Sequence, residues 1–318
     1  MSIVVKVLLL ALFVTASHGL LPVIPLSVNF HFTRKCNYNC GFCFHTSLTS
    51  HVESLESAKR MLKELTEHGA KKINFAGGEP FLPEYQSKLG EMLRYAKQEC
   101  GYESTSVISN SVFITPEWFD TYSEWLDILG VSCDSSDDAL NQKMGRGNGV
   151  HTQHVRRAAA LAAQHGVMFK LNTVVTSQNW QHDMSAFVQE LQPVRWKIFQ
   201  VLAIKGENQG GGALRDISDL LVTPDKFEYF VERHLSLNKD KDIIKKESND
   251  MMRNSYFLID EYGRFLDCSG GAKAPTQSIL DVGVPAALKQ LFGTGEGFDE
   301  GAFKAREGQF DWTKPSRD

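Results

Sequence analysis

Three of the chain's six cysteines fall within CNYNCGFCFHT (residues 36–46), at Cys36, Cys40 and Cys43. The others, Cys100, Cys133 and Cys268, stand singly. A structural zinc site needs four ligands, normally two close pairs set well apart, and here there is no second pair. A disulfide would use two of the three thiols and strand a reactive third. Three thiolates on a short loop suit three irons of one [4Fe–4S] cluster, whose usual complement is four cysteines. The fourth iron would then be open to a ligand from outside the chain, and chemistry would happen there.

A second group of residues emerges from strand periodicity. Successive side chains of a strand point to opposite faces. Lys170 and Asn172 share a face of MFKLNTVV (168–175), with Phe169 and Leu171 opposite. Arg195 and Lys197 share a face of VRWKIFQVL (194–202) against Trp196 and Ile198. Lys72 and Asn74 do so in KKINFAGGEP, and Asn29 and His31 in LSVNFHFT. Unpaired buried charges cost several kcal/mol each, and few carboxylates on these faces are visible to pair the cations. A polyanion with phosphates would resolve the repulsion, because Arg and Lys suit phosphate oxygens. Alternatively, some of these cations sit at strand mouths and are solvated. Arg146, in GRGNG (145–149), joins them as a candidate or is a plain surface turn.

These residues need a frame that brings strand ends together. After Pro22 and Pro25 the chain alternates apolar strands with helix-period segments: strands near 26–33, 71–77, 104–110, 126–134, 168–175 and 194–202, with helices at 55–69, 84–99, from Pro116, at 152–165 and near 182–191. Six such alternations predict an α/β fold with a parallel sheet, curled by right-handed crossovers into an open, partial (βα)6 barrel. Its active residues belong inside or at the C-terminal strand ends, where the cysteine loop falls. GGEP (Gly77, Gly78, Glu79) ends the second strand, Ser109 and Asn110 the third, and Ser132 the fourth. Two glycines allow a ligand close to backbone, and Glu79 offers a carboxylate. The three strand-end polar residues are equally readable as ordinary turn chemistry.

Past residue 205 the alternation stops. KGENQGGGALRD reads as a flexible Gly-rich loop, NKDKDIIKKE as a charged stretch and SYFLIDEYGRFLDC (255–268) as a hairpin, together an α+β extension. The expected division is 1–21, an apolar membrane-associating segment; 22–205, the barrel; and 206–318, the extension closing the site. At 318 residues and 42% hydrophobic the chain can bury a large core, and a net charge of −4 argues against binding a nucleic-acid polymer. IVVKVLLLALFV (3–14) resembles a signal-peptide core, yet a membrane anchor and a docked apolar segment are also open. Cluster thiolates must stay reduced, which favours an anchor with the catalytic part facing the cytosol.

The cysteine spacing, with Phe42 just before the last cysteine, resembles that of radical S-adenosylmethionine (SAM) enzymes. SVNFHFTRKCNYNCGFCFHT, KKINFAGGEPF, LDILGVSCDS, QPVRWKIFQ, DEYGRFLDC and SILDVGV together resemble the viperin family, over about residues 26–312. That resemblance implies one [4Fe–4S] cluster, SAM chelated on the open iron, and Phe42, Gly77, Gly78, Glu79, Ser109, Asn110, Ser132 and Arg146 around the cofactor. It implies dehydration of CTP or UTP to the 3′-deoxy-3′,4′-didehydro nucleotide, an antiviral chain terminator. Asn29, Lys72, Arg146, Lys170, Asn172, Arg195 and Lys197 would hold the substrate, with Tyr256 at the ribose as a catalytic residue alongside the three cysteines. It further implies an electron donor, cytosolic iron–sulfur assembly machinery, and a place on the cytosolic face of the endoplasmic reticulum membrane or on lipid droplets. The chain departs from the family in its short, uniformly apolar N-terminus, in Ala76 before GGEP, and in its ending WTKPSRD, with the last tryptophan at Trp312. A radical SAM maturase with another substrate, or a membrane-tethered scaffold, are the competing readings. Intact GGEP and cation sets speak against a scaffold, and no cysteine-rich tail supports a maturase.

Overall fold

The computed structural model describes residues 24–238, 242–293 and 298–305, so the expectations for residues 1–21 and for Trp312 lie outside it. The six anticipated strands form as β1 (Ser27–Thr33), β2 (Lys72–Gly77), β3 (Ser104–Ser109), β4 (Ile128–Ser132), β5 (Met168–Val175) and β6 (Arg195–Gln200). Helices α1 (Leu55–Glu67), α2 (Gln86–Gln98), α3 (Pro116–Tyr122), α4 (Asp138–Lys143), α5 (His151–Gln164) and α6 (Ser185–Leu191) alternate with them. Local chemistry sets the helix starts. Ser54 accepts a hydrogen bond from the Ser57 amide at the head of α1, and Thr115 caps α3 just before Pro116. Ala58, Met61, Leu62 and Leu65 make the helical stripe that α1 buries. The short α4 has no counterpart among the expected elements; its cap, Asp137, is one more acidic residue in a polar run.

Strands β1 to β6 pair in chain order and all in parallel. The extension then adds to both edges. The stretch read as merely charged contains β7 (Ile244–Glu247), which pairs in parallel with β6. The expected hairpin forms as β8 (Phe257–Ile259) and β9 (Arg264–Asp267), but β8 also pairs in parallel with β1. A last strand, β10 (Ala274–Ser278), lies antiparallel to β9. The extension also carries helix α7 (Pro224–His234) and the short α8 (Asn249–Arg253).

Register explains the interior. Ser27, Asn29 and His31 of β1, Lys72, Asn74 and Ala76 of β2, Lys170, Asn172 and Val174 of β5, and Arg195, Lys197 and Phe199 of β6 line one cavity. Their alternate neighbours Val28, Phe30, Ile73, Phe75, Leu129, Val131, Leu171, Trp196 and Ile198 are buried in the apolar core. One face of a flat sheet could not line a single cavity from β1 round to β6, so the sheet is curled with that face inward.

The two glycines after β2 have a steric reason that differs from the expected ligand approach. Gly77 has φ +131°, and a Cβ there would lie 2.2 Å from the Thr33 carbonyl oxygen; at Gly78 it would lie 2.0 Å from that of Lys35. The same backbones are hydrogen-bonded, Gly78 N to Thr33 O at 2.7 Å and Glu79 N to Lys35 O at 2.8 Å. The glycines therefore press the loop after β2 against the entry to the cysteine loop. Gly78→Ala should destabilise by the upper part of the roughly 1–3 kcal/mol cost of overpacking, or more. Gly211→Ala, in open space, should leave the thermal midpoint unchanged. Equal melting of the two variants would refute this packing role.

Candidate active site: one cavity between a cysteine loop and a cluster of cations

The cavity measures about 350 Å³. At the C-terminal end of the strands, Cys36, Cys40, Phe42 and Cys43 all line it. The cysteine loop is held from the α4–α5 side by Asn39 N to Gly145 O at 3.2 Å and Gly41 N to Met144 O at 3.1 Å. Gly145, at φ +81°, fits there because a Cβ would meet the Asn39 carbonyl at 2.3 Å. Among the described residues no three His, Cys, Asp or Glu side chains converge on a position for one metal ion. Three thiols lining one wall suit a cluster, in which each cysteine takes a different iron. Burial pushes the thiols up, Cys36 to about 11 and Cys40 to about 12, so they are held as neutral thiols until a cationic metal group draws off their protons.

Arg146 sits at this end rather than among the strand cations. Its guanidinium pairs with the buried Asp134 carboxylate and stands 5.4 Å from the centre of the Phe42 ring. It lines the cavity, as expected of a cofactor- or substrate-binding candidate, with Asp134 matching its charge. Of the single cysteines, Cys133 is fully buried with its thiol on the Ser135 carbonyl. Cys268 lines the cavity, which nothing in its isolated position suggested.

Glu79 is the hub of the neighbouring wall. Its Oε1 accepts from Ser109 Oγ at 2.7 Å and from the Phe81 amide at 2.9 Å, and its Oε2 accepts from the Asn110 amide at 2.7 Å. Asn110 Nδ2 donates to Asn37 Oδ1 at 2.7 Å and approaches Cys36 Sγ at 3.8 Å. The strand ends thus join the cysteine loop in one hydrogen-bonded unit. Burial raises the Glu79 carboxyl to about 7 against the pull of those donors. A cationic ammonium placed beside it would restore the carboxylate. Ser132 lines the cavity nearby, and its carbonyl meets His151 Nε2 at 2.8 Å.

The strand cations gather at the other end. Lys170 pairs with Arg195 across β5 and β6 in register, as Asn172 does with Lys197. Burial, then the charges of Lys197, Lys72 and Arg195, hold the Lys170 ammonium well below its ordinary range. The expected shortage of carboxylates has one exception. Glu247, fully buried on β7, forms an ion pair with Lys197. Tyr256 donates its hydroxyl to Glu247, and Lys197 Nζ reaches that hydroxyl at 2.9 Å. Lys72, Lys170, Arg195 and Lys197 thus line one part of the cavity together, close enough for three of them to depress the fourth. Asn172 Oδ1 is buried here with no hydrogen-bond partner among the described residues, an atom waiting for a donor. Asn29 lines the wall between, next to Asn74, whose carbonyl takes the Ser106 hydroxyl.

One buried assembly escaped sequence reasoning altogether. Arg34, just after β1, pairs with Glu261 at 2.6 Å and Glu207 at 2.8 Å. Lys273 Nζ meets Glu207 at 3.0 Å and His45 Nδ1 at 2.8 Å, and Thr46 donates to Glu207 through both amide and hydroxyl at 2.7 Å. The Gly-rich segment expected to be flexible therefore carries a buried anchor, and Asn208 beside it donates to the Phe42 carbonyl. No local pattern signals these partners, because they lie up to 228 positions apart.

Lys170 titration gives a test without ligand. Its folded-state proton affinity is lowered, so between that value and the ordinary 10.5 the unfolded chain binds more protons than the folded one. Stability should therefore rise with pH across this window. Lys170→Met should melt above the wild type at pH 7, with the gap shrinking as pH climbs toward 10. A gap independent of pH would mean that Lys170 is not a strained cation.

Residues 30–187 match the Radical SAM superfamily. Among solved structures, the chain resembles anSMEcpe with bound AdoMet and a peptide (TM-score 0.64, 20% identity, covering 91% of this chain and 88% of that one) and Streptococcus suis SuiB bound to S-adenosylmethionine (0.61, 15%, 89% and 68%). At such identities they support the fold. Much nearer in sequence is the S-adenosylmethionine-dependent nucleotide dehydratase RSAD2 of Siniperca chuatsi, 47% identical over 292 residues, covering 91% of this chain and 80% of the relative. The Danio rerio counterpart is 46% identical over the same length, and a Flammeovirga pacifica nucleotide dehydratase is 32% identical, with 97% of it covered. Similarity of that extent, over a barrel whose cysteine loop and cations face one cavity, makes this chain a member of the viperin family of radical SAM nucleotide dehydratases.

Proposed function

We propose that this enzyme dehydrates a pyrimidine nucleoside triphosphate, CTP or UTP, to its 3′-deoxy-3′,4′-didehydro analogue. The observation that carries the reading is the polarity of the cavity. A cluster-holding loop stands at one end and four cations at the other, so a ligand with an anionic tail has one sensible orientation. Cys36, Cys40 and Cys43 would hold the [4Fe–4S] cluster, leaving one iron for SAM. Once bound, cluster and SAM supply a carbon radical able to take hydrogen from an unactivated C–H bond. The chain's own residues do the rest. The Glu79 carboxylate suits the amino group of SAM, and Ser109, Asn110 and Ser132 present polar groups beside it. Lys72, Lys170, Arg195 and Lys197 grip the triphosphate, Asn29 and Asn172 assist, and Tyr256 places its hydroxyl by the ribose. The inward cations hold the reacting sugar at a fixed distance from the cofactor end.

The test is SAM cleavage by anaerobically reconstituted protein, with and without nucleotides. CTP or UTP should stimulate cleavage and be converted, and the monophosphates should do so poorly. Arg195→Ala should weaken apparent triphosphate affinity roughly ten- to hundredfold, the loss of one charge-assisted contact of about 1.5–3 kcal/mol. Stimulation by a peptide alone would point to a maturase, and no cleavage under any condition to a scaffold.

The apolar N-terminal stretch supports a place on the cytosolic face of the endoplasmic reticulum membrane, reached by an electron donor and by the cytosolic iron–sulfur assembly machinery. An antiviral role would follow from the chain-terminating product. Because β1 starts at Ser27, deletion of residues 1–21 should move the protein to the soluble fraction with nucleotide turnover intact. Recovery of the full chain in a secretory lumen, cleaved near Gly19, would overturn the anchor.

A further inference from the structure

A carboxylate beside a polyanion site weakens binding, so Glu247 needs a reason to be there. It is fully buried and does not line the cavity, standing behind two residues that do, Lys197 and Tyr256. The three close a ring: Lys197 pairs with Glu247, Tyr256 donates to Glu247, and Lys197 Nζ lies 2.9 Å from the Tyr256 oxygen. They come from three segments, β6, β7 and the link between α8 and β8. An ion pair stitching β6 to β7 would not require the tyrosine. Lys197 is also 5.4 Å from the centre of the Tyr256 ring, so cation and phenol are packed as a unit.

We propose that Glu247 is a positioning residue for the nucleotide reaction, fixing the direction of the Tyr256 hydroxyl through the ring it makes with Lys197. The hydroxyl proton is committed to Glu247, so the phenol oxygen is turned toward Lys197 and the cavity. When triphosphate oxygens compete for the Lys197 ammonium, the bond to Glu247 still holds the phenol. The cost in phosphate affinity is thereby exchanged for a hydroxyl that does not rotate when substrate arrives. This inference rests on the nucleotide reading above.

Glu247→Gln keeps the shape and an acceptor but loses the charge. Nucleotide affinity, measured by calorimetry on the cluster-free chain, should be unchanged or tighter, because a negative charge behind the cations is gone. Nucleotide-dependent turnover by the reconstituted holoenzyme should fall between about ten- and a hundredfold, as for a misplaced reacting group. If Glu247 acts through Tyr256, adding Glu247→Gln to Tyr256→Phe should cause no further loss of turnover. Independent, multiplying losses in the double variant would overturn the proposal. So would weaker nucleotide binding together with a lower melting temperature in Glu247→Gln, the pattern of a purely structural ion pair. Should the wild type respond to no nucleotide at all, the functional reading itself fails, and that result is distinct from either.

Discussion

The desolvation of like charges is the constraint on which this architecture turns. Curling the sheet puts one face of β1 to β6 inside, and on that face Lys72, Lys170, Arg195 and Lys197 are drawn together out of water. The apolar faces opposite, with Trp196, Ile198, Leu171 and Phe75 fully buried, must outweigh that strain. The division of labour is therefore strict along each strand. Alternate positions serve stability and binding, and a one-residue slip of register would exchange them.

How much of this was legible depended on whether the signal was local. Period-two alternation identified Lys170 and Asn172 as cavity residues, because Phe169 and Leu171 beside them belong to the core. The cysteine spacing carried its own meaning for the same reason. Glu247 was not legible: it lies in IKKE, where alternating charges look solvated, and only pairing with β6 buries it. Arg146 was half legible, since its place near the cavity held but its partner Asp134 is fixed by the turn geometry of the loops after β4. Gly77 and Gly78 do line the cavity, as room for a ligand requires, but their crowding by the backbone of the adjacent segment has no local signal.

The two ends of the cavity are chemically unlike, and the structure keeps them so. At the cysteine end, charges are matched in pairs: Arg34 with Glu207 and Glu261, Lys273 with Glu207, Arg146 with Asp134. His31 and His45 stand among them neutral, His31 lowered to about 3 by burial and by Lys273 and Arg34. At the other end, cations from three strands are brought together, with Glu247 on Lys197. A site that brings a metal-held radical source to a charged substrate is served by both: fixed, matched charges around the reactive group, and a concentration of positive charge around the handle.

The attachment of the tail to both rims of the barrel has a consequence in time. Strand β1 emerges first, yet it takes its second neighbour from β8, and Arg34 closes its ion pair with Glu261 across 227 positions. Closures of such span are late events in folding. While the chain is being synthesised, the cysteine loop exists long before the wall behind it, and its thiols are open to oxygen and stray metals. The wall behind the cysteine loop is therefore complete only once the last strands have been made.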